Sequence, residues 1–125
     1  MTRQANLEHL TPTERQALRE FVQLLKEQFD GQIRSALLFG SKARGEGTPD
    51  ADLDVLVVVD DEDWRVHKQI RYLAADICFK HGLNLSPRVW SVTHRRELEK
   101  LRTRLYQNIH RDGINLLGLS AATGS

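Results

Sequence analysis

The chain has 125 residues, the size of one domain, and 40% of them are hydrophobic and 28% charged. A formal net charge of +1 provides no global basic field, so nucleic acid is not expected as a direct substrate. A single cysteine excludes an intramolecular disulfide, and no apolar run is long enough to span a membrane. The composition therefore favours a cytoplasmic globular protein.

The first predicted element is a helix that begins after Thr11. Thr11 and Glu14 have the spacing of a capping box, in which each side chain bonds the backbone N–H of the other residue. Apolar residues then recur at helical spacing until Asp30-Gly31, which is expected to end the helix. Residues 1–10 are expected to form an N-terminal extension.

Two buried strands are predicted next, and the rest of the chain is organised around them. Residues 33–39 and 55–59 are short apolar runs bounded by turn residues. Gly40-Ser41 breaks the first run, and Asp52 and Asp54 open the second. Carboxylates at i and i+2 of a strand point to the same face, with Cα atoms roughly 6.6 Å apart.

This pattern predicts a metal–nucleotide site. Two like charges at the start of an apolar strand are costly, and Mg²⁺ removes the cost while it keeps waters and substrate phosphates as ligands. A glycine lets the backbone approach a phosphate, and a serine hydroxyl and successive N–H groups donate to it. The predicted nucleotide-binding residues are Gly40, Ser41, Lys42 and Arg44. The predicted catalytic and metal-binding residues are Asp52 and Asp54.

A long helix is predicted over residues 64–81, with Gly82 as its stop and Asp61 or Asp63 at its N-terminus. Apolar residues lie on one face of this helix. Basic residues lie on the other face, where they are expected to be solvated.

The third predicted strand, over residues 83–92, contains Pro87, which indicates an edge strand or a bulge. Ser86, Arg88 and Trp90 alternate onto one face of it. No Asp or Glu occurs in this strand.

One further helix is predicted to start at Thr93, which would cap it, and to run past Ile109. Residues 114–117 are expected to form a short edge strand or a docking segment. Residues 119–125 are expected to be a flexible tail.

The central motif resembles that of a known family. Gly40-Ser41, then ten residues, then Asp52-x-Asp54, with Ala43-Arg44-Gly45 between them, resembles the nucleotidyltransferase superfamily that includes DNA polymerase beta. The likeness is greatest to its small stand-alone members, the minimal nucleotidyltransferases, and in layout it covers residues 10–118.

The order of elements predicts an α/β (α+β) domain over residues 11–118, and the resemblance implies the nucleotidyltransferase fold, a small mixed β-sheet flanked by helices. It also implies Mg²⁺ as cofactor and ATP as substrate. The superfamily usually supplies a third carboxylate from the neighbouring strand, and this sequence has none between Asp76 and Glu97.

The resemblance also implies a partner. Small members of the superfamily pair with helical HEPN-type ribonucleases in toxin–antitoxin systems, where they transfer AMP from ATP to a tyrosine of the toxin. Two alternatives stay open: a catalytically weak module that neutralises its partner by binding alone, and a nucleotidyltransferase that acts on a small molecule.

Overall fold

A computed structural model of the chain describes residues 7–60 and 62–119, and helices and strands alternate along it as predicted. The order of elements confirms the predicted α/β (α+β) class. The elements are α1 Pro12–Gln28, β1 Ile33–Phe39, α2 Ser41–Arg44, β2 Leu53–Val59, α3 Trp64–His81, β3 Leu85–Ser91, α4 Val92–Leu101, α5 Arg104–Asp112 and β4 Ile114–Asn115.

The four strands form one mixed sheet in the order β3-β2-β1-β4. β1 is antiparallel to β2 and β4, and β2 is parallel to β3, so α3 forms the crossover between two parallel neighbours. β3 is an edge strand, as Pro87 predicts, since a proline lacks the N–H that a central strand needs.

Helices cover both faces of the sheet. α1 and α3 pack against the face that carries the larger apolar cluster, whereas α4 and α5 lie on the other face over a smaller cluster that contains Phe39 and Trp90. Leu7 and Leu10 are buried in the larger cluster, and residues 1–6 and 120–125 of the two predicted terminal segments lie outside the described residues. Across the described chain, α3 included, no helix has both the length and the apolar character of a membrane span.

The predicted helix ends agree with the capping geometry. The Thr11 hydroxyl accepts the N–H of Glu14 at 3.0 Å, and the Thr11 N–H donates to the Glu14 carboxylate at 2.9 Å, which completes the capping box. Asp63 caps α3, and Gly82, at φ +67°, ends it. Position 61, the alternative cap, lies outside the described residues.

The prediction of one helix from Thr93 onward is wrong. α4 is capped by the Ser91 hydroxyl, two residues before the predicted cap Thr93, and it stops at Arg102, which has φ +51°. Thr103 then caps a separate helix, α5. The apolar spacing conceals this break because Leu98 and Leu105, on either side of it, pack against the same cluster.

Candidate active site

The bend after β1 brings its glycine against one of the predicted carboxylates. Phe39 pairs with Asp54 across the β1–β2 ladder, so the next residue, Gly40, lies beside Asp54. Gly40 has φ +80° and ψ −163°, a region that only glycine enters readily. A Cβ atom at this position would lie 2.5 Å from Asp54 Oδ2. Glycine is therefore required both for the backbone conformation and for the approach to the carboxylate.

Ser41 is the first residue of the four-residue helix α2, and the loop that follows α2 folds back over it. A Cβ atom at Gly47 would be 3.0 Å from the Ser41 hydroxyl. The backbone thus encloses the serine closely, with the hydroxyl between the bend and the loop that leads to Asp52 and Asp54. Gly40 therefore lies beside Asp54, Ser41 follows it directly, and the role of these residues in nucleotide binding stays a prediction.

The two aspartates differ in environment. Asp52 is exposed just before β2, whereas Asp54, inside the strand, is partly buried. Burial raises the pKa of Asp54, the charge of Asp52 raises it further, and Arg88 opposes both effects. A cation between the two carboxylates would relieve this repulsion, so the pair is electrostatically suited to bind one.

The face of β3 next to Asp54 carries no acid. Ser86 lies opposite Asp54 in the β2–β3 register, Arg88 lies opposite Leu56, and both are exposed. Within residues 7–60 and 62–119, no group of three or more acidic, histidine or cysteine side chains is placed to hold a metal. Two carboxylates leave coordination sites for phosphate and water, and this oxygen-only donor set fits Mg²⁺.

Lys42 does not face the carboxylates in this structure. Its side chain is buried, and its ammonium lies 2.7 Å from Glu14 Oε2, on α1. The backbone carbonyl of the same lysine is 2.6 Å from the ring nitrogen of His9. Lys42 thereby holds α2 against the N-terminal part of the chain, and contact of its ammonium with a phosphate stays a prediction.

Arg44 is held from the opposite side. Its guanidinium donates to the buried carboxylate of Asp112 at 2.9 Å and lies 3.4 Å from Glu46. Asp112 also accepts from Arg111, and these bonds outweigh burial and lower the pKa of Asp112. The side chain of Arg44 is still 36% exposed, so its predicted contact with a nucleotide remains sterically open.

Sequence reasoning missed Glu14 and Asp112 as the residues that anchor α2. Glu14 is predicted from the sequence only as part of a capping box, and Asp112 is assigned no role in the site. Both also pair with cations far away in sequence, Asp112 at a separation of 68 residues. The sequence does contain one indication of the Glu14 ion pair. Glu14 lies one helical turn before Leu18, on the face of α1 that periodicity assigns to the core, where an acidic residue needs a partner.

Replacing Glu14 with glutamine should destabilise the fold by about 2 kcal/mol at neutral pH. Glutamine preserves the capping box but leaves the buried ammonium of Lys42 without its counter-charge. Chemical denaturation measures the loss, and Glu27→Gln, an exposed change on the same helix, is the control. An effect of Glu14→Gln no larger than that of the control would contradict a structural role for the ion pair.

The loss of stability caused by Glu14→Gln should depend on pH. Burial alone would raise the pKa of Glu14, but hydrogen bonds from Lys42 and Thr11 outweigh it and lower the pKa below the ordinary value of 4.5. The ion pair therefore contributes its full stability above pH 4.5 and loses it as the pH falls through the lower folded-state pKa. The stability difference between wild type and variant should shrink over this acidic range.

The site thus consists of a Gly-Ser bend, one aspartate just before the next strand and one within it, and a parallel third strand. The family described as "Nucleotidyltransferase domain" matches residues 18–114, so the chain belongs to this family. A protein of Methanocaldococcus jannaschii named "Putative protein adenylyltransferase MJ0604" is 32% identical over 103 residues, which cover 80% of this chain and 94% of that protein.

Two solved structures share the fold. One, described as a "putative minimal nucleotidyltransferase", has a TM-score of 0.52 and 28% identity and covers 84% of this chain and 96% of that chain. The other, described as a toxin–antitoxin with AMP-PNP, has a TM-score of 0.52 and 17% identity and covers 81% of this chain and 73% of that chain.

Proposed function

We propose that this nucleotidyltransferase moves AMP from ATP onto a hydroxyl group of a partner protein. The observation that carries the proposal is the close approach of the Gly40 bend to Asp54, which supports a phosphate-binding role for the bend beside a metal-binding carboxylate. The name of the relative "Putative protein adenylyltransferase MJ0604", of which this chain covers 94%, supports AMP as the transferred group and a protein as the acceptor.

Each residue of the site has a separate role. Gly40 and Ser41 hold the triphosphate, and Asp52 and Asp54 hold Mg²⁺. When bound, Mg²⁺ acts as a Lewis acid on the phosphate oxygens and as a template for the nucleotide. Arg88 extends from the same face of the sheet as Asp54 and contributes positive charge near the phosphates.

The reaction balances without a further reactant. The partner's hydroxyl oxygen forms a bond to the α-phosphorus of ATP as the bond from that phosphorus to the oxygen bridging to the β-phosphate breaks. Pyrophosphate leaves, and the hydroxyl proton passes to solvent. Because β3 offers no acid as a base, positioning and electrostatic stabilisation supply most of the rate acceleration.

The partner that we propose is a HEPN-type ribonuclease toxin, with this chain as its antitoxin. The resemblance to minimal nucleotidyltransferases favours this pairing. A toxin–antitoxin whose structure was solved with AMP-PNP shares the fold. A toxin is therefore the first partner to test.

The test combines the purified chain, ATP, Mg²⁺ and the purified product of the neighbouring gene. Intact-mass spectrometry should show the partner gaining the mass of one AMP, and fragmentation should place the AMP on a hydroxyl side chain. Omission of Mg²⁺ should prevent the gain. No mass gain under any of these conditions would refute the proposal.

The absence of an acid on β3 favours one rival, neutralisation by binding alone. Under this rival the chain suppresses the partner's ribonuclease activity with no change in its mass and without a requirement for Asp52 or Asp54. Ribonuclease activity and mass measured on the same sample therefore separate the two functions.

A further inference from the structure

The outer face of α3 exposes large aromatic side chains in one stripe. Among the described residues, Trp64, Tyr72 and Phe79 are 62%, 60% and 93% exposed. Their spacings of eight and seven residues are close to two helical turns each, so the three rings follow one line along the helix. Apolar side chains of this size on one line indicate a surface that is covered by a partner.

Cations lie between these rings. The ammonium of Lys68 is 5.6 Å from the centre of the Trp64 ring and 5.4 Å from that of Tyr72, and the guanidinium of Arg65 is also near Trp64. No carboxylate of the described chain forms an ion pair with Arg65, Lys68 or Arg71, and Asp76 is an acid at the border of the stripe. We call Trp64, Lys68, Arg71, Tyr72 and Phe79 the α3 face.

The α3 face continues into a groove of about 690 Å³ between the C-terminal half of α3 and the start of β3. Most of the groove is apolar. Side chains that line it include Arg71, Ala75, Phe79, Leu83, Leu85 and Pro87.

The groove reaches the candidate active site across one edge strand. Leu85 and Pro87 line it on either side of Ser86, which pairs with Asp54. The carbonyl of Asn84, another lining residue, accepts the N–H of Leu53, which lies between the two aspartates. Leu85 and Pro87 face the α3 side of the sheet, whereas Ser86 and Asp54 face the other side, so the groove and the carboxylates lie on opposite faces of the same edge of the sheet.

We propose that the α3 face and this groove bind the acceptor protein through an acidic segment that also carries apolar side chains. The identity of the acceptor rests on the proposed function. The unpaired cations of the α3 face select an acidic segment by charge complementarity, and the rings and groove take its apolar side chains. From there, a segment of the acceptor would reach the carboxylates by passing around the edge strand β3.

Two other occupants are disfavoured by the same features. A second copy of this chain bound across a two-fold axis would bring the cations of two α3 faces together. RNA requires an extended basic surface, whereas the whole chain has a net charge of +1 and Phe79 and the groove are apolar.

The test measures binding of the full chain to the neighbouring gene's product by biolayer interferometry. Phe79→Glu and the double change Lys68→Glu with Arg71→Glu should each weaken binding at least tenfold. The charge reversal should also lower the association rate and its dependence on salt. Leu101→Glu is the matched control, since Leu101 is 72% exposed but belongs to α4, on the opposite side of the sheet.

Each chain is also prepared with Asp54→Asn, so that binding is measured without catalysis. Affinity for Mg²⁺ with AMP-PNP, measured on the face variants that retain Asp54, should equal that of the wild-type chain, which shows that the fold and site are intact. If AMP transfer fails while binding still requires Phe79, the proposed function falls and the docking surface stands.

Three results would overturn the docking surface. These are unchanged binding by Phe79→Glu, no binding by the wild-type chain, or an equal loss of binding in Leu101→Glu. Dimerisation of the chain alone that is lost in Phe79→Glu, measured by sedimentation, would assign the surface to self-association. Binding of single-stranded polyuridylate that requires Phe79 would assign it to RNA.

Discussion

Replacing Asp54 with asparagine should reduce AMP transfer about 10³-fold, equivalent to roughly 4 kcal/mol of transition-state stabilisation. The asparagine side chain would keep the size and strand position of the aspartate but remove the charge of the proposed metal ligand next to the Gly40 bend. The measurement is the rate of AMP incorporation into the partner, with the Mg²⁺-dependent affinity for AMP-PNP as a second reading. Both should fall.

Asp50→Asn is the matched control for this variant. Asp50 is exposed in the loop that leads to β2, and its replacement makes the same change in net charge. Transfer by Asp50→Asn should stay near the wild-type rate. Equal losses in the two variants would attribute the effect to net charge and contradict a specific role for Asp54.

The apo form of the Asp54→Asn chain should be at least as stable as wild type. Burial and the charge of Asp52 disfavour the ionised form of Asp54 and outweigh the opposing effect of Arg88, so its neutral replacement removes an unfavourable interaction. Thermal unfolding without and with Mg²⁺ and AMP-PNP measures this. A variant that is less active yet no less stable is the pattern that a binding site, rather than a packing site, produces.

Gly40→Ala should reduce transfer about 10²-fold and destabilise the fold by roughly 1–3 kcal/mol. The backbone at Gly40 lies in a region that alanine enters only with strain, and the new Cβ would lie 2.5 Å from Asp54 Oδ2. Either the carboxylate or the bend must move. Denaturation measures the strain, and the transfer rate measures the displacement.

Gly31→Ala separates these two effects. Gly31 also has a positive φ, +78°, but a Cβ atom there meets nothing within 4 Å. This control should lose about 1 kcal/mol of stability with little change in transfer. If Gly40→Ala behaves in the same way, the close approach to Asp54 has no functional importance.

The elements that could be predicted from the sequence are those fixed by nearby residues. The Thr11–Glu14 capping box is one, and the β1–β2 pair with its bend is another. Pro87 correctly indicated an edge strand because a missing N–H has the same consequence in any sheet. These features depend on backbone chemistry and local spacing, both of which can be read from a single sequence.

The features that could not be predicted depend on residues brought together by the fold. Lys42 and Arg44 were assigned to phosphate from their place beside Ser41, but Glu14 and Asp112 hold them in this structure. The break at Arg102 was missed because apolar periodicity continues across it. The periodicity of apolar residues indicates which face of a helix a residue occupies. It carries no information on the charged residues that the fold brings next to it.

The hairpin of β1 and β2 has a consequence for the order of folding. The bend and both aspartates belong to this one antiparallel unit, whereas β3 joins it only after a crossover that contains the 18-residue helix α3. A short connection closes at a smaller entropic cost than a long one, so the hairpin can form before the parallel strand docks. The bend and its carboxylate can therefore acquire their register before β3 docks, independently of the edge that borders the proposed acceptor groove.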